Sequence, residues 1–171
     1  NLVFLSLLLC VFASRGQDST VNTKRLKTLV VSNSVAYIGG ITGLYQLWYR
    51  NYPLGSFHFF NDNAEWNQMD KVGHAYSCYQ EGMVGIDMLR WAGVENNKAI
   101  WIGGSYGLLW QSTIEILDGF SEEWGASLGD IASNFIGTGL VIGQELGWEE
   151  QRIVIKWSYH NTEFAPIRPN V

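Results

Sequence analysis

The chain has 171 residues, 47% apolar and 16% charged, with a formal net charge of −5. That length supports one domain, and an acidic balance without a basic stripe to meet phosphates excludes nucleic acid as a partner. Nineteen glycines against three prolines predict closely packed helices rather than a disordered chain. Eight tryptophans supply core or interface anchors, or amphipathic rings at a membrane surface.

Leu2–Ala13, LVFLSLLLCVFA, is an apolar run of signal-peptide length, too short to span a bilayer. Residues 1–16 therefore read as a signal peptide, with a mature, exported chain starting near Ser14 or Gln17. Cys10 follows Leu7-Leu8-Leu9 rather than the small residue a lipobox needs, so no acyl group is expected on it. Without the signal, Cys78 is the one cysteine left; no internal disulfide can form, and Cys78 reads as a packed thiol rather than a nucleophile.

Residues 17–27 form a polar linker holding the one basic cluster, Lys24, Arg25 and Lys27. Thr28–Tyr49 carries no charge, but Ser32, Asn33, Ser34, Thr42 and Gln46 suit lipid poorly. A buried core helix is the first expectation for this stretch and a membrane helix the second, with Gly39 and Gly43 inviting a close helix neighbour. Tyr52-Pro53-Leu54-Gly55 breaks it, and FHFFNDNAEWNQ, 57–68, reads as a loop with His58 at the surface. A second helix is predicted from Gln68 to Ala92, a third from Lys98 to Leu117 and a fourth from Asp130 to Leu146. RIVIKWSY, 152–159, alternates β-forming residues and reads as a strand within an extended tail, 151–171, that resembles the end of a fragment. The predicted fold is mainly α: a small Gly-rich bundle of about four helices over residues 28–150, with a short C-terminal β segment.

The chemistry-bearing residues sit in MDKVGHAYSCYQEG and in EILDGFSEEWGASLGDIASN. On helices, Asp70 and His74 share a face, as do Glu115 with Asp118 and Asp130 with Asn134. Three helices each offering a polar pair can build one interior site. Asp70 and Asp130 could equally be N-caps, and His74 a satisfied core histidine. Asp70 orienting His74 gives a candidate general base, but no glycine-framed serine or phosphate loop accompanies it. One histidine with carboxylates suits an oxygen-preferring ion better than structural zinc, and no metal is assigned.

Asp-Lys-x-x-His at 70–74, Glu-x-x-Asp-Gly-Phe-Ser at 115–121 and Gly-Asp-x-x-x-Asn-x-x-Gly at 129–137 occur in an order that resembles the YfiM-like family of predicted periplasmic lipoproteins, a domain of unknown function. The chain is similar more distantly to VanZ-like proteins. The resemblance spans about residues 68–145 and maps the family pattern onto Asp70, Lys71, His74, Glu115, Asp118, Gly119, Phe120, Ser121, Asp130, Asn134 and Gly137. It implies a periplasmic, membrane-associated protein and brings no reaction, cofactor or small-molecule ligand. Three functions follow as expectations: a non-enzymatic envelope domain packing on a membrane surface or envelope proteins; a small enzyme using Asp70, His74 and carboxylates 115–130 on a lipid or cell-wall precursor; or an integral membrane protein.

Overall fold

The computed structural model describes residues 21–64 and 66–158; the expected signal peptide, Cys10, His160 and the end of the tail lie outside them. Among the described residues, four long helices follow in chain order: α1 Thr23–Leu47, α2 Met69–Trp91, α3 Tyr106–Gly119 and α4 Leu128–Trp148. One parallel pair of two-residue strands, β1 Phe59–Phe60 and β2 Ala126–Ser127, joins the segment before α2 to the segment before α4. The fold is mainly α.

Local chemistry accounts for the helix ends. Asn22 caps α1 by accepting the Arg25 N–H at 3.1 Å, so the helix begins inside the stretch read as linker. α2 closes with a Schellman turn, Gly93 N–H to Arg90 C=O at 2.9 Å and Val94 N–H to Leu89 C=O at 3.0 Å. That turn requires the φ of 79° at Gly93, which costs a residue without Cβ little. α4 is capped by Ser127, whose hydroxyl accepts the Asp130 N–H at 3.1 Å. Asp130 is thus three residues past the cap, and Asp70 likewise lies in the first turn of α2, behind Gln68 at φ 61°. Neither aspartate is an N-cap. The third predicted helix is divided: a turn at Asn96–Lys98 and a π-helical segment at Ala99–Gly103 precede α3.

α2 is the central element, and glycines set how closely its neighbours approach. Gly85 meets Gly103 backbone to backbone, Gly107 lies on the Cys78 backbone, and Gly137 lies on the Ala75 carbonyl. The apolar core is correspondingly compact: Tyr79, Ile86, Ile100, Val141 and Ile142.

Several expectations are corrected. α1 is not a buried core helix: it buries only Leu26, while Val31, Val35, Ile38 and Leu47 are more than half exposed. Asn33, Tyr37 and Gly40 share the face toward α3, where the Tyr106 hydroxyl donates to Asn33 Oδ1 at 2.9 Å, Tyr37 and Thr113 hydroxyls lie 2.6 Å apart, and Gly40 receives the Trp110 ring. Polar contacts on that face turn the valines outward. Gly39 and Gly43, like Gly139 and Gly143, face open space. No helix of the described residues is long and apolar enough to cross a membrane. Five tryptophans are not core anchors, since Trp48, Trp91, Trp101, Trp148 and Trp157 each expose over two-fifths of their surface, whereas the half-buried Trp110 and Trp124 pack against neighbouring rings.

The strand expected at 152–159 does not form over its described part. Residues 151–158 run as an irregular segment held by side chains. Gln144 bonds both the N–H (2.6 Å) and the C=O (3.1 Å) of Ile153, and Tyr79 and Gln80 donate to the carbonyls of Ile153 and Ile155. Side chains of α2 and α4 take the place of a strand ladder.

The glycine seam makes a direct prediction. Gly107→Ala places a methyl 2.6 Å from the Cys78 Cα and is expected to cost about 1–3 kcal/mol, as overpacking does. Gly139→Ala meets nothing within 4 Å and should gain about 0.5–1 kcal/mol from helix propensity. Urea denaturation of the two variants checks both signs.

Candidate functional site

The polar residues gather at the end of the bundle that carries β1 and β2. The loop between α3 and α4 folds back there against residues 53–60, with His58 N–H bonded to Gly119 C=O at 2.9 Å and Ala126 N–H to His58 C=O at 3.0 Å. His58 is half-buried rather than at the surface, its Nε2 donating to the Trp124 carbonyl at 2.7 Å. This clasp brings the C-terminal turn of α3 and the N-terminus of α4 beside the first turns of α2.

His74 is the hub. Its Nδ1 lies 3.0 Å from Asn134 Oδ1, which also accepts the Cys78 thiol at 3.4 Å. Its Nε2 faces Glu115 Oε1 at 3.5 Å and Asp70 Oδ1 at 3.8 Å. The other oxygen of Glu115 accepts the Ser127 N–H at 2.8 Å. Beside this group, Lys71 Nζ lies 2.8 Å from Asp62 and 3.5 Å from Asp130, while the Ser127 hydroxyl donates to Asp62 at 2.7 Å. The structure thus brings together Asp70, Lys71, His74, Glu115, Asp130 and Asn134. Asp118 sits next to them, accepting the Tyr49 hydroxyl at 2.6 Å. Ser121 does not join: it is buried in the clasp, bridged to Leu54, with its hydroxyl accepting the Glu123 N–H.

Asp62, Ser127 and Tyr49 belong to the network although they were not anticipated as part of it. Ser127 was discoverable, since Ser-x-x-Asp at 127–130 is a capping-box pattern. Asp62 carries no such signal, because its place depends on how the loop before α2 folds.

Burial sets the electrostatics. It lifts Glu115 to about 7 against the opposing Ser127 N–H and His74. It also lifts Asp130 to about 6, helped by the neighbouring Asp62 carboxyl, and it raises Asp118. Asp62 is held at about 2, because Asp130, Lys71 and Ser127 bond to it strongly enough to overcome its own burial. The two aspartates therefore behave as a pair in which Asp62 is ionised and Asp130 keeps the proton longest. Burial pushes the Cys78 thiol to about 12, which leaves it a packing group. Two buried atoms have no hydrogen-bond partner in this cluster, Asp130 Oδ1 and Asn134 Nδ2.

The chemistry open to this arrangement is proton exchange or cation binding; Cys78, being protonated and sealed, supplies no nucleophile. A surface groove of about 410 Å³, lined by Asn67, Gln68, Val72, Ala75, Tyr76 and Ile155, reaches the cluster at Lys71. His74 is not on that groove's wall.

Two measurements follow. Lys71→Met leaves Asp62 and Asp130 facing each other and is expected to destabilise the domain by about 2–4 kcal/mol. Adding Asp130→Asn should restore part of that loss, as a double-mutant cycle in denaturant would read. The second concerns pH. Folded-state pKa values above the unfolded ones mean that Glu115 and Asp130 contribute stability fully present below about pH 4 and lost as pH rises through about 6–7. Asp62 acts in the opposite sense, below about pH 4. In chelator the Tm should be higher at pH 5 than at pH 8, and Glu115→Gln should flatten the difference.

Comparison with curated proteins and with solved structures finds no match. A family model does match, over residues 58–143, a span that holds every residue of the cluster from Asp62 to Asn134 and omits α1 and the tail. The match agrees with the YfiM-like resemblance and lends no support to the VanZ-like one. With half of its length covered, the chain belongs to the family described as predicted periplasmic lipoproteins, DUF2279, a domain of unknown function.

Proposed function

We propose that the protein is a non-enzymatic domain of the cell envelope that rests on a membrane surface through the outer face of α1. The observation that carries this reading is the inverted distribution of its side chains. Charged and polar groups such as Glu115, Asp130, Asn134 and Glu145 are buried, while Val31, Val35, Ile38, Leu47 and Trp48 are exposed along one helix. A charge-free run from Thr28 to Tyr49, with Lys24, Arg25 and Lys27 before it and Arg50 after it, suits a helix lying in the interface plane. Its apolar face would meet acyl chains and its basic ends anionic headgroups. The exposed Trp48, Tyr52 and Leu54 continue this surface, and aromatic rings favour that depth.

Vesicle flotation tests it. In a Cys10→Ala background, which removes any acyl anchor on that residue, the protein is expected to float with vesicles of phosphatidylethanolamine and phosphatidylglycerol. Val35→Asp with Ile38→Asp should reduce the bound fraction at least about tenfold, given about 1.5–3 kcal/mol for each apolar side chain buried. Absence of flotation, or flotation unchanged by the two aspartates, would refute the reading. So would capture on α1 by an envelope protein in preference to lipid.

A further inference from the structure

We propose that Asp70, His74 and Asp130 bind one divalent cation of the first transition row, of the manganese or zinc class. The orientation of His74 is the first reason. Asn134 Oδ1 receives the Cys78 thiol as well as the imidazole Nδ1, so the atom placed there acts as an acceptor and Nδ1 carries the proton. Nε2 is then the ring nitrogen left to meet a ligand, at 3.5 Å from Glu115 and 3.8 Å from Asp70. Fixing the imidazole tautomer through its other nitrogen is also how ligating histidines are held.

The second reason is Asp130. Its side chain is 3% exposed and its Oδ1 accepts no hydrogen bond, Lys71 Nζ being 3.5 Å away and bonded to Asp62 instead. A buried carboxylate oxygen without a hydrogen-bond donor is costly, and Asp130 offers an oxygen to the same group as a His74 ring nitrogen and an Asp70 oxygen. One ligand atom each from Asp70, His74 and Asp130 lies within 4.8 Å of the others. These separations are too long for hydrogen bonds. Ligands held about 2.0–2.2 Å from one ion have edges of about 3–3.5 Å, so binding draws the three atoms inward.

Supporting contacts complete the site. Glu115, its other oxygen held by the Ser127 N–H at 2.8 Å, stands beside His74 Nε2 at 3.5 Å. Asp70, 56% exposed, gives an ion access from solvent and can swing inward. Charge favours occupancy, with Asp62, Asp70, Glu115, Asp118 and Asp130 gathered around Lys71 and His74. The donor set of one imidazole and two carboxylates selects the metal class. Imidazole is a poor ligand for magnesium or calcium, and the absence of thiolate ligands disfavours copper(I) or a cysteine-type zinc site. This inference is independent of membrane docking, since α1 contributes no ligand.

The test uses the full chain without a polyhistidine tag, stripped with chelator and dialysed. Titration calorimetry with MnCl₂ and with ZnCl₂ is expected to show one ion per chain for at least one of them, with a Tm increase of several degrees. Calcium and magnesium should bind at least tenfold more weakly. His74→Ala and Asp130→Asn should each weaken binding at least a hundredfold and abolish the Tm increase, whereas Glu150→Gln should bind as the parent does. Asp130→Asn relieves the contact with Asp62, so it is expected to fold with a metal-free Tm at or above the parent's. That keeps the test readable if His74→Ala does not fold. No binding heat, tighter binding of calcium, or binding that survives Asp130→Asn would overturn the proposal.

Discussion

Close backbone contact between α2 and its two partners governs the rest of this structure. Where Gly85 meets Gly103, Gly107 meets Cys78 and Gly137 meets Ala75, no side chain separates the helices. Axes this close leave little room for a large apolar core, and the main buried apolar cluster is correspondingly small, with Tyr79, Ile86, Ile100, Val141 and Ile142 at its centre. The same approach puts short carboxylates on three helices within reach of one imidazole. At greater helix separation His74 could not bond Asn134 while its other nitrogen faces Glu115.

Proximity gives the polar end its electrostatic character. Burial disfavours the charged forms of Glu115 and Asp130, and the second aspartate adds to the cost at Asp130. Lys71 relieves Asp62 far more than Asp130. A sequence selected for stability alone would have replaced one of these acids by an amide or an apolar residue, since buried charge is weak evidence of stabilisation. Retained frustration of this kind is the usual mark of a site that binds something. The family match covers this part of the chain and stops short of α1, so the polar cluster from Asp62 to Asn134 lies within the portion that the chain shares with its family.

The outside of the molecule is as unusual as its inside. α1 is held by polar contacts, Tyr37 with Thr113, Tyr106 with Asn33 and Arg25 with the Trp91 carbonyl, by Trp110 on Gly40 and by the buried Leu26. Its valines and isoleucine point away from the bundle. A helix so attached contributes little burial to the fold, and its apolar face is available to a second surface. The proposed docking uses that face, while the proposed cation site uses the opposite kind of surface, enclosed and acidic.

Helix existence was legible from the chain, because charge-free runs and period-3.6 spacing report on local structure alone. The pairing of Asp70 with His74, of Glu115 with Asp118 and of Asp130 with Asn134 on common faces was legible for the same reason. The Ser127 cap was written in Ser-x-x-Asp, although Asp130 was the residue first read as a cap. Contacts between elements were not legible. Gly39, Gly43, Gly139 and Gly143 look in sequence like Gly85 and Gly107, yet only the latter two touch a neighbouring backbone. A glycine permits close approach without specifying who approaches. RIVIKWSY has strand chemistry, but a strand needs an edge, and side chains of α2 and α4 satisfy its backbone instead. Asp62 entered the cluster through the fold of a loop, and α1 left the core because its polar face, rather than its apolar one, met α3. Local propensity is a property of neighbouring residues, whereas burial and partnership belong to the packed chain, and those were decided by the tertiary structure.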